Sequence, residues 1–456
     1  MAPFAALLAL VLAGQATVAS QDSSAGTLEQ RIDRFLQPYV ASNNFTGVIL
    51  VRRERQVQLN KGYGMANYEL GVPNSRSSRF HIASVTKAFT AAAILLLEER
   101  GQLSLSDPVS RHLPGYPNGD RIRIEHLLKH TAGIPNLGSG PMWEREERLP
   151  HSTEQLVALF KDLPLEFEPG SETRYSNSNY NLLTFILEKL TGESYESFLR
   201  QNVWRPLGLR STQDGSDMTR MIPQRATGTE PDGIRDVRLP RLIDWSGRKG
   251  SGSLVSTASD LDRFVDALFT GKLLRPASVA KILAPAEGFA FGWTRGERWG
   301  RKQMRSAGRS PGYTSSVERY LDEGTTVIVL SSSYSPVGQD SVFLAGINAA
   351  VFGKVATPPA LLPVAAQPGT LAELAGQYQM PEDYFVPNAT LELRDRGDRL
   401  EAIWQNGARN TIYPVGSNRF LDRNFWADVS FTRDNAGKVS GFSYALAGQR
   451  FSATRK

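Results

Sequence analysis

The chain has 456 residues, 41% of them hydrophobic, with 52 Lys and Arg against 46 Asp and Glu and no cysteine. That length exceeds one ordinary core and points to two or three domains of a globular protein, while the lack of cysteine excludes disulfides, thiolate metal sites, a cysteine nucleophile and a lipidated cysteine. The formal charge of +6 comes from basic residues interspersed with acidic ones and no nucleic-acid motif occurs, so the expectation is a basic exported protein without a nucleic-acid partner.

Residues 2–14 form an apolar stretch too short to span a bilayer, and Val18-Ala19-Ser20 supplies small residues before the polar Gln21-Asp22. Residues 1–20 are therefore expected to be a secretory signal peptide, leaving no integral membrane segment after cleavage and placing the protein in a periplasm or outside the cell. Phe45–Arg53 and Gln56–Tyr68 are rich in β-branched and alternating apolar residues and predict an early hairpin. The run from Ala88 to Leu97, closed by Glu98-Glu99-Arg100 and Gly101, predicts a buried helix. Residues from about 105 to 285 predict mostly helices and loops, including helices over Asn179–Leu190 and Ala258–Phe269. Strands return at Phe289–Thr294, Ser306–Tyr320 and Thr325–Ser332, followed by a helix over Ser341–Phe352. Strands at both ends of one unit enclosing a helical insert imply an α+β domain, over residues 27–353, with an antiparallel sheet assembled from distant segments and a helical subdomain. Pro358, Pro359, Pro363 and Pro368 mark residues 354–370 as a linker. Beyond it, residues 371–456 alternate in short segments such as Leu391–Arg394, Leu400–Ile403, Val429–Thr432 and Val439–Tyr444, which fits a small β-barrel or sandwich.

The chemistry starts at Ser84-Val85-Thr86-Lys87, where the predicted helix begins. Residues three apart share a helical face, so the Ser84 hydroxyl and the Lys87 amine can meet in the interior. A serine is a poor nucleophile until a base takes its proton, and a lysine in apolar surroundings can be that base. The tetrapeptide alone is not specific, because Ser246-x-x-Lys249 and Ser278-x-x-Lys281 share it. The first of these looks like a solvated loop and the second like the start of a surface helix near Pro276. A second element is Tyr175-Ser176-Asn177, ahead of a helix; Tyr116-Pro117-Asn118 has the same spacing but lies between glycines and is a turn. Ser and Asn there suit a helix start, and equally the Tyr175 phenol could exchange protons with Ser84 while Asn177 ties to Lys87 or to a substrate amide.

Other patterns carry less. Gly308-Arg309-Ser310-Pro311-Gly312 matches a nucleophile elbow, but Pro311 lacks the N–H that the following residue must offer. His126 and His130 stand four apart without the glutamate of a metalloprotease helix and are assigned structural roles; no metal and no cofactor is expected, and no glycine-rich nucleotide loop is present. Trp143, Trp293 and Trp299 fit cleft or core equally well.

The order of segments is more specific than any of them. Arg79-Phe80-His81-Ile82-Ala83-Ser84-Val85-Thr86-Lys87 is followed by Leu103-Ser104-Leu105-Ser106-Asp107-Pro108-Val109 and His126-Leu127-Leu128-Lys129-His130-Thr131-Ala132-Gly133-Ile134-Pro135. Pro169-Gly170-Ser171 precedes Tyr175-Ser176-Asn177, and Pro206-Leu207-Gly208-Leu209 and Ser256-Thr257-Ala258-Ser259-Asp260-Leu261 come after it. Over roughly residues 30–350 this closely resembles the serine β-lactamase and penicillin-binding-protein superfamily, in its class C-like branch. That branch holds class C β-lactamases, D-alanyl-D-alanine carboxypeptidases, D-aminopeptidases and family VIII carboxylesterases. Residues 371–456 resemble the lipocalin-like domain appended to some members.

The resemblance implies a β-lactamase/transpeptidase-like fold with Ser84 as acylated nucleophile, Lys87 as its base partner, Tyr175 as general acid/base and Asn177 as a third polar member. It places the branch's third motif at Ser306-Ala307-Gly308 and an oxyanion hole at the backbone N–H groups of Ser84 and Arg309. Ser306 departs from the Lys, His or Trp usual there and offers no cation for a substrate carboxylate; strand alternation points Arg305 and Arg309 away from it. The expected function is therefore an exported serine hydrolase acting on a small-molecule or peptide substrate, with simple esters and D-amino-acid peptides ahead of β-lactams and D-alanyl-D-alanine carboxypeptidase substrates. The alternatives are acyl transfer to another acceptor and a catalytically weak sensor-like homologue. The sequence does not specify an oligomeric state.

Overall fold

The computed structural model describes residues 26–456 except 139–140, 285–287, 335–341, 359–360, 362, 368, 406 and 447–448. The expected signal segment, Ser341 of the predicted helix, and Pro359 and Pro368 lie outside the described residues.

An antiparallel sheet of seven strands runs, edge to edge, Phe289–Ala290, Trp293–Arg298, Arg301–Ser310, Tyr313–Tyr320, Thr326–Ser331, Gly47–Arg53 and Gln56–Tyr63. The early hairpin thus joins strands that follow it by more than 200 residues, through a register running from Gly47 opposite Ser331 to Arg52 opposite Thr326. Val48-Ile49-Leu50-Val51 has no polar alternation because both faces of this strand are covered. Val48 and Leu50 pack with Phe89 and Phe264, from the helices Thr86–Glu99 and Ala258–Phe269. Ile49 and Val51 pack with Phe35 and Phe343, from the helices Leu28–Ala41 and Val342–Val351. The helical insert lies between the two sets of strands, as the α+β expectation required.

Two predicted strands are each two: Phe289–Thr294 divides into Phe289–Ala290 and the start of Trp293–Arg298, paired with Ala290 opposite Trp293. Ser306–Tyr320 breaks at Pro311-Gly312, where Gly312 takes φ +77, and the halves pair as a hairpin with Ser310 opposite Tyr313. The Pro-rich segment is also no free tether. Leu361 is buried, the Tyr413 hydroxyl donates to its carbonyl, and the Val364 N–H donates to the Pro414 carbonyl. Apolar residues between the prolines supply the contacts that composition alone did not weigh.

Residues 376–455 form a closed barrel of eight sequential strands, the last pairing back to the first through Tyr378 opposite Arg455. Its interior is filled by Leu391, Leu393, Leu400, Phe420, Phe431 and Phe442, so it is packed like other small closed barrels. The barrel docks through Arg423. This fully buried guanidinium donates to the carbonyls of Ser42, Asn43, Asp232, Gly233 and Asp236 in the larger domain. Trp426 beside it donates to Asn44 and packs against Tyr39 with the rings tilted, centroids 5.0 Å apart. Among the described residues, no helix is long and apolar enough to cross a membrane.

Candidate active site

Ser84 sits where a strand turns into the central helix. Phe80–His81 pairs with Leu254–Ser256, and Ala83 then takes φ +46, a left-handed conformation unusual for a residue with a side chain. A 3-10 turn over Ala83–Val85 leads into the helix Thr86–Glu99, in which every residue from Thr86 to Leu97 is buried. Ser84 is therefore in the turn and Lys87 in the helix. The three-residue spacing still brings them together, with Lys87 Nζ 3.2 Å from Ser84 Oγ.

Lys87 is fully buried, and its other two contacts are pure acceptors: Asn177 Oδ1 at 2.8 Å and the Ser251 carbonyl at 2.7 Å. A neutral amine has two N–H groups and one lone pair. With both N–H groups given to these acceptors, the lone pair faces Ser84. Burial pulls the lysine well below its usual range, and the nearby Arg248 charge pulls it further; both favour the uncharged form. Two ties hold the Ser251 carbonyl in place. Thr90 Oγ1 donates to the Gly250 carbonyl, and Asn181 Nδ2 donates to that of Lys249.

The Tyr175 hydroxyl lies 2.7 Å from Ser84 Oγ, on the loop entering the helix Asn177–Thr191. Tyr175 is 38% exposed, open to the cleft, yet protein surrounds its phenol and pushes the pKa up to about 12, against the smaller effects of the Ser84 hydrogen bond and the Arg248 charge. The phenol thus keeps its proton at neutral pH. His130, also at positive φ, stacks on the Tyr175 ring at 4.7 Å and accepts the Ser176 N–H on Nδ1. Burial is the main cause that lowers His130 to about 3, so it packs as a neutral ring. Asn136 Oδ1 accepts from both the backbone and side-chain N–H groups of Asn177, which turns Asn177 Oδ1 toward Lys87. Asn177 is the first residue of its helix, and its side chain serves Lys87 rather than a cap.

The strand Arg301–Ser310 crosses beneath the nucleophile. A Cβ on Gly308 would stand 2.4 Å from the Ile82 carbonyl oxygen and 2.7 Å from the Ser84 nitrogen, so only glycine fits. Gly308→Ala is expected to push the strand off Ser84, lowering kcat/KM by about 100-fold and Tm by several degrees; steady-state kinetics and a thermal melt check both. Burial alternates along this strand as expected, with Ser306, Gly308 and Ser310 buried and Arg305, Ala307 and Arg309 more exposed. Ser306 Oγ has no hydrogen-bond partner among the described residues. The Arg309 guanidinium lies over the Tyr334 ring at 3.9 Å and near Phe425 of the barrel at 5.4 Å.

The competing patterns resolve elsewhere. Ser246 is not in a solvated loop: it is buried in the 3-10 turn Trp245–Arg248, donates to Asp244 and accepts the His151 N–H. Asp244 and the adjacent Trp245, which stacks on His81, supply the tertiary contacts that local composition hides. Ser278 and Lys281 lie on the helix Pro276–Leu283, where Lys281 pairs with Glu98. His126 Nδ1 accepts the Arg123 N–H. Trp143 and Trp293 are core residues, whereas Trp299 is 41% exposed.

Ser84 is thus held between a buried lysine and a phenol, in the turn that enters a helix packed against the antiparallel sheet. The profile of the Beta-lactamase family matches residues 32–346, and the chain belongs to that family, whose members are serine hydrolases. Among curated relatives, the putative penicillin-binding protein PbpX of Bacillus subtilis (strain 168) is 31% identical over 301 residues, 65% of this chain and 72% of that protein. Penicillin-binding protein 4* of the same organism is 28% identical over 419 residues, 86% and 90% of the two chains. Among solved structures, D-amino acid amidase from Ochrobactrum anthropi SV3 superposes with TM-score 0.62 at 24% identity, over 72% of this chain and 97% of its own. The octameric penicillin-binding protein homologue from Pyrococcus abyssi gives 0.63 at 21%, over 92% and 99%.

Proposed function

We propose that the protein is an exported serine hydrolase that cleaves an ester or amide bond through an acyl-enzyme on Ser84. The observation that carries this reading is the placement of Ser84 Oγ between Lys87 Nζ and the Tyr175 hydroxyl. Ser84 Oγ attacks the substrate carbonyl carbon as its proton passes to the Lys87 lone pair. The carbonyl electrons move onto oxygen, where the Ser84 and Arg309 N–H groups receive them. Tyr175 gives its phenolic proton to the leaving oxygen or nitrogen as that bond breaks, and the Lys87 ammonium restores it. Water then attacks the ester, losing its proton to the same pair, and Ser84 regains a proton as the acid leaves. Export rests on the apolar stretch 2–14 and the small residues that follow.

The solved neighbours include a D-amino acid amidase and a D-stereospecific amidohydrolase, which supports D-amino-acid amides and peptides alongside simple esters. A parallel screen tests the reading with p-nitrophenyl butyrate, D- and L-alanine p-nitroanilide, and nitrocefin, using Ser84→Ala as blank. Multiple turnover on an ester or on the D-anilide is expected. One turnover or none across the set would replace the hydrolase reading with that of a sensor-like homologue.

A further inference from the structure

Arg309 joins the catalytic strand to the C-terminal barrel. Its hairpin closes with Ser310 opposite Tyr313 across the two-residue turn Pro311-Gly312, and bonding alternates along an antiparallel ladder, so the Arg309 N–H points away from the strand Tyr313–Tyr320. On the other side, the strand Trp293–Arg298 pairs no further than Thr294 opposite Arg305. The Arg309 N–H therefore lies on a stretch of strand edge with no neighbouring strand, one residue beyond the Gly308 contact with Ser84. On that edge, side chains must hold what a ladder does not. The Arg309 guanidinium carbon stands 3.9 Å from the Tyr334 ring centroid and 5.4 Å from that of Phe425, both within reach of cation–π attraction. Its Nε is buried with no hydrogen-bond acceptor among the described residues, so the rings take the place of an acceptor there. Phe425 is anchored in turn. It belongs to the loop Arg423–Trp426 between the barrel strands Arg419–Asp422 and Ala427–Arg433. Two residues before it, Arg423 donates to five carbonyls of the larger domain. On its other side Trp426 takes φ +53, donates to Asn44 and packs against Tyr39 and Phe343. The buried Asp422 carboxylate accepts the Asn424 N–H at the base of the loop. A left-handed tryptophan persists only where the surrounding contacts hold it, so this loop is shaped by its docking.

We propose that Phe425 is a positioning residue of the active site: through this ring the barrel fixes the Arg309 guanidinium, and with it the strand edge whose N–H receives the oxyanion. This rests on the Ser84 acyl-enzyme reading and gives the C-terminal domain a part in the chemistry.

The test uses the full chain and p-nitrophenyl butyrate. Phe425→Leu keeps an apolar side chain in the barrel and removes the ring. It is expected to lower kcat by about 3- to 10-fold, the size of one cation–π contact, with KM changed by less than about twofold, because acylation and hydrolysis both pass through an oxyanion. Phe425→Tyr restores the ring face and most of the kcat. Phe385→Ala, at an exposed ring of the same barrel, keeps the wild-type kcat. The deciding comparison is made in an Arg309→Met background, which retains the backbone N–H and lacks the guanidinium. There Phe425→Leu has no further effect, since the contact it removes is already gone. Loosening of the barrel as a whole would cost the same in both backgrounds. An unchanged kcat in Phe425→Leu overturns the proposal, and so does an equal loss with and without the guanidinium. A wild type that turns over the ester no faster than Phe425→Leu refutes only the role of the barrel. A wild type that neither turns over the ester nor labels with a fluorophosphonate refutes the hydrolase reading itself.

Discussion

Ser84→Ala is expected to lower kcat/KM by about 10⁴- to 10⁶-fold, leaving the small rate that binding and an oxyanion hole supply without a nucleophile. The fold should tolerate it. The substitution removes one oxygen whose partners are Lys87 Nζ and the Tyr175 hydroxyl, and neither depends on it for its position. Lys87 keeps Asn177 and Ser251, while Tyr175 keeps its stacking on His130. A thermal melt within about 2 °C of the wild type, roughly 1 kcal/mol for a domain of this size, alongside the kinetic loss would separate chemistry from folding.

Lys87→Met should lower kcat/KM by about 10⁴-fold, as expected for loss of the general base, and should change stability in a pH-dependent way. In the unfolded chain Lys87 takes a proton below its ordinary pKa of 10.5, whereas in the folded chain burial resists that proton. Above 10.5 both states are neutral and burial of the lysine carries no protonation cost. As pH falls below 10.5, the unfolded state binds the proton first and the wild-type fold loses stability, until the folded pKa is reached. Methionine has no such cost. The Tm of Lys87→Met minus that of the wild type should therefore rise as pH is lowered below 10.5 and level off once the folded pKa is passed, with about 1.4 kcal/mol gained for each pH step of one between the two pKa values. A difference that is flat with pH, or that runs the other way, would mean that Lys87 is charged in the folded protein.

The core of the site was legible because its chemistry is written at short range. Ser84 and Lys87 are three apart at the start of a buried helix, and Tyr175 and Asn177 stand at the entry of another, within a family-like order of segments. The supporting groups were less visible. The Ser251 carbonyl belongs to the backbone, and its place beside Lys87 is set by Thr90 and Asn181. No local pattern records such a contact. His130 was assigned a structural role without a named partner; it is the ring under Tyr175, and Asn136, a few residues on, orients Asn177. Proximity of Asn136 to the His130–Pro135 segment was the one available signal. In the fold, the sheet assembled from distant segments and the all-β C-terminal domain followed from alternation and chain order, whereas the closure of that domain into a barrel, the Ser310–Tyr313 turn and the docking of Leu361 and Arg423 depended on long-range packing.

The central claim is that Ser84 carries the acyl group. Intact-mass measurement followed by peptide mapping, after reaction with a fluorophosphonate, tests it most directly. One adduct per chain on the peptide containing Ser84, absent from Ser84→Ala, is the predicted result. An adduct that persists in Ser84→Ala, or that maps to Ser310 or another hydroxyl, would contradict it.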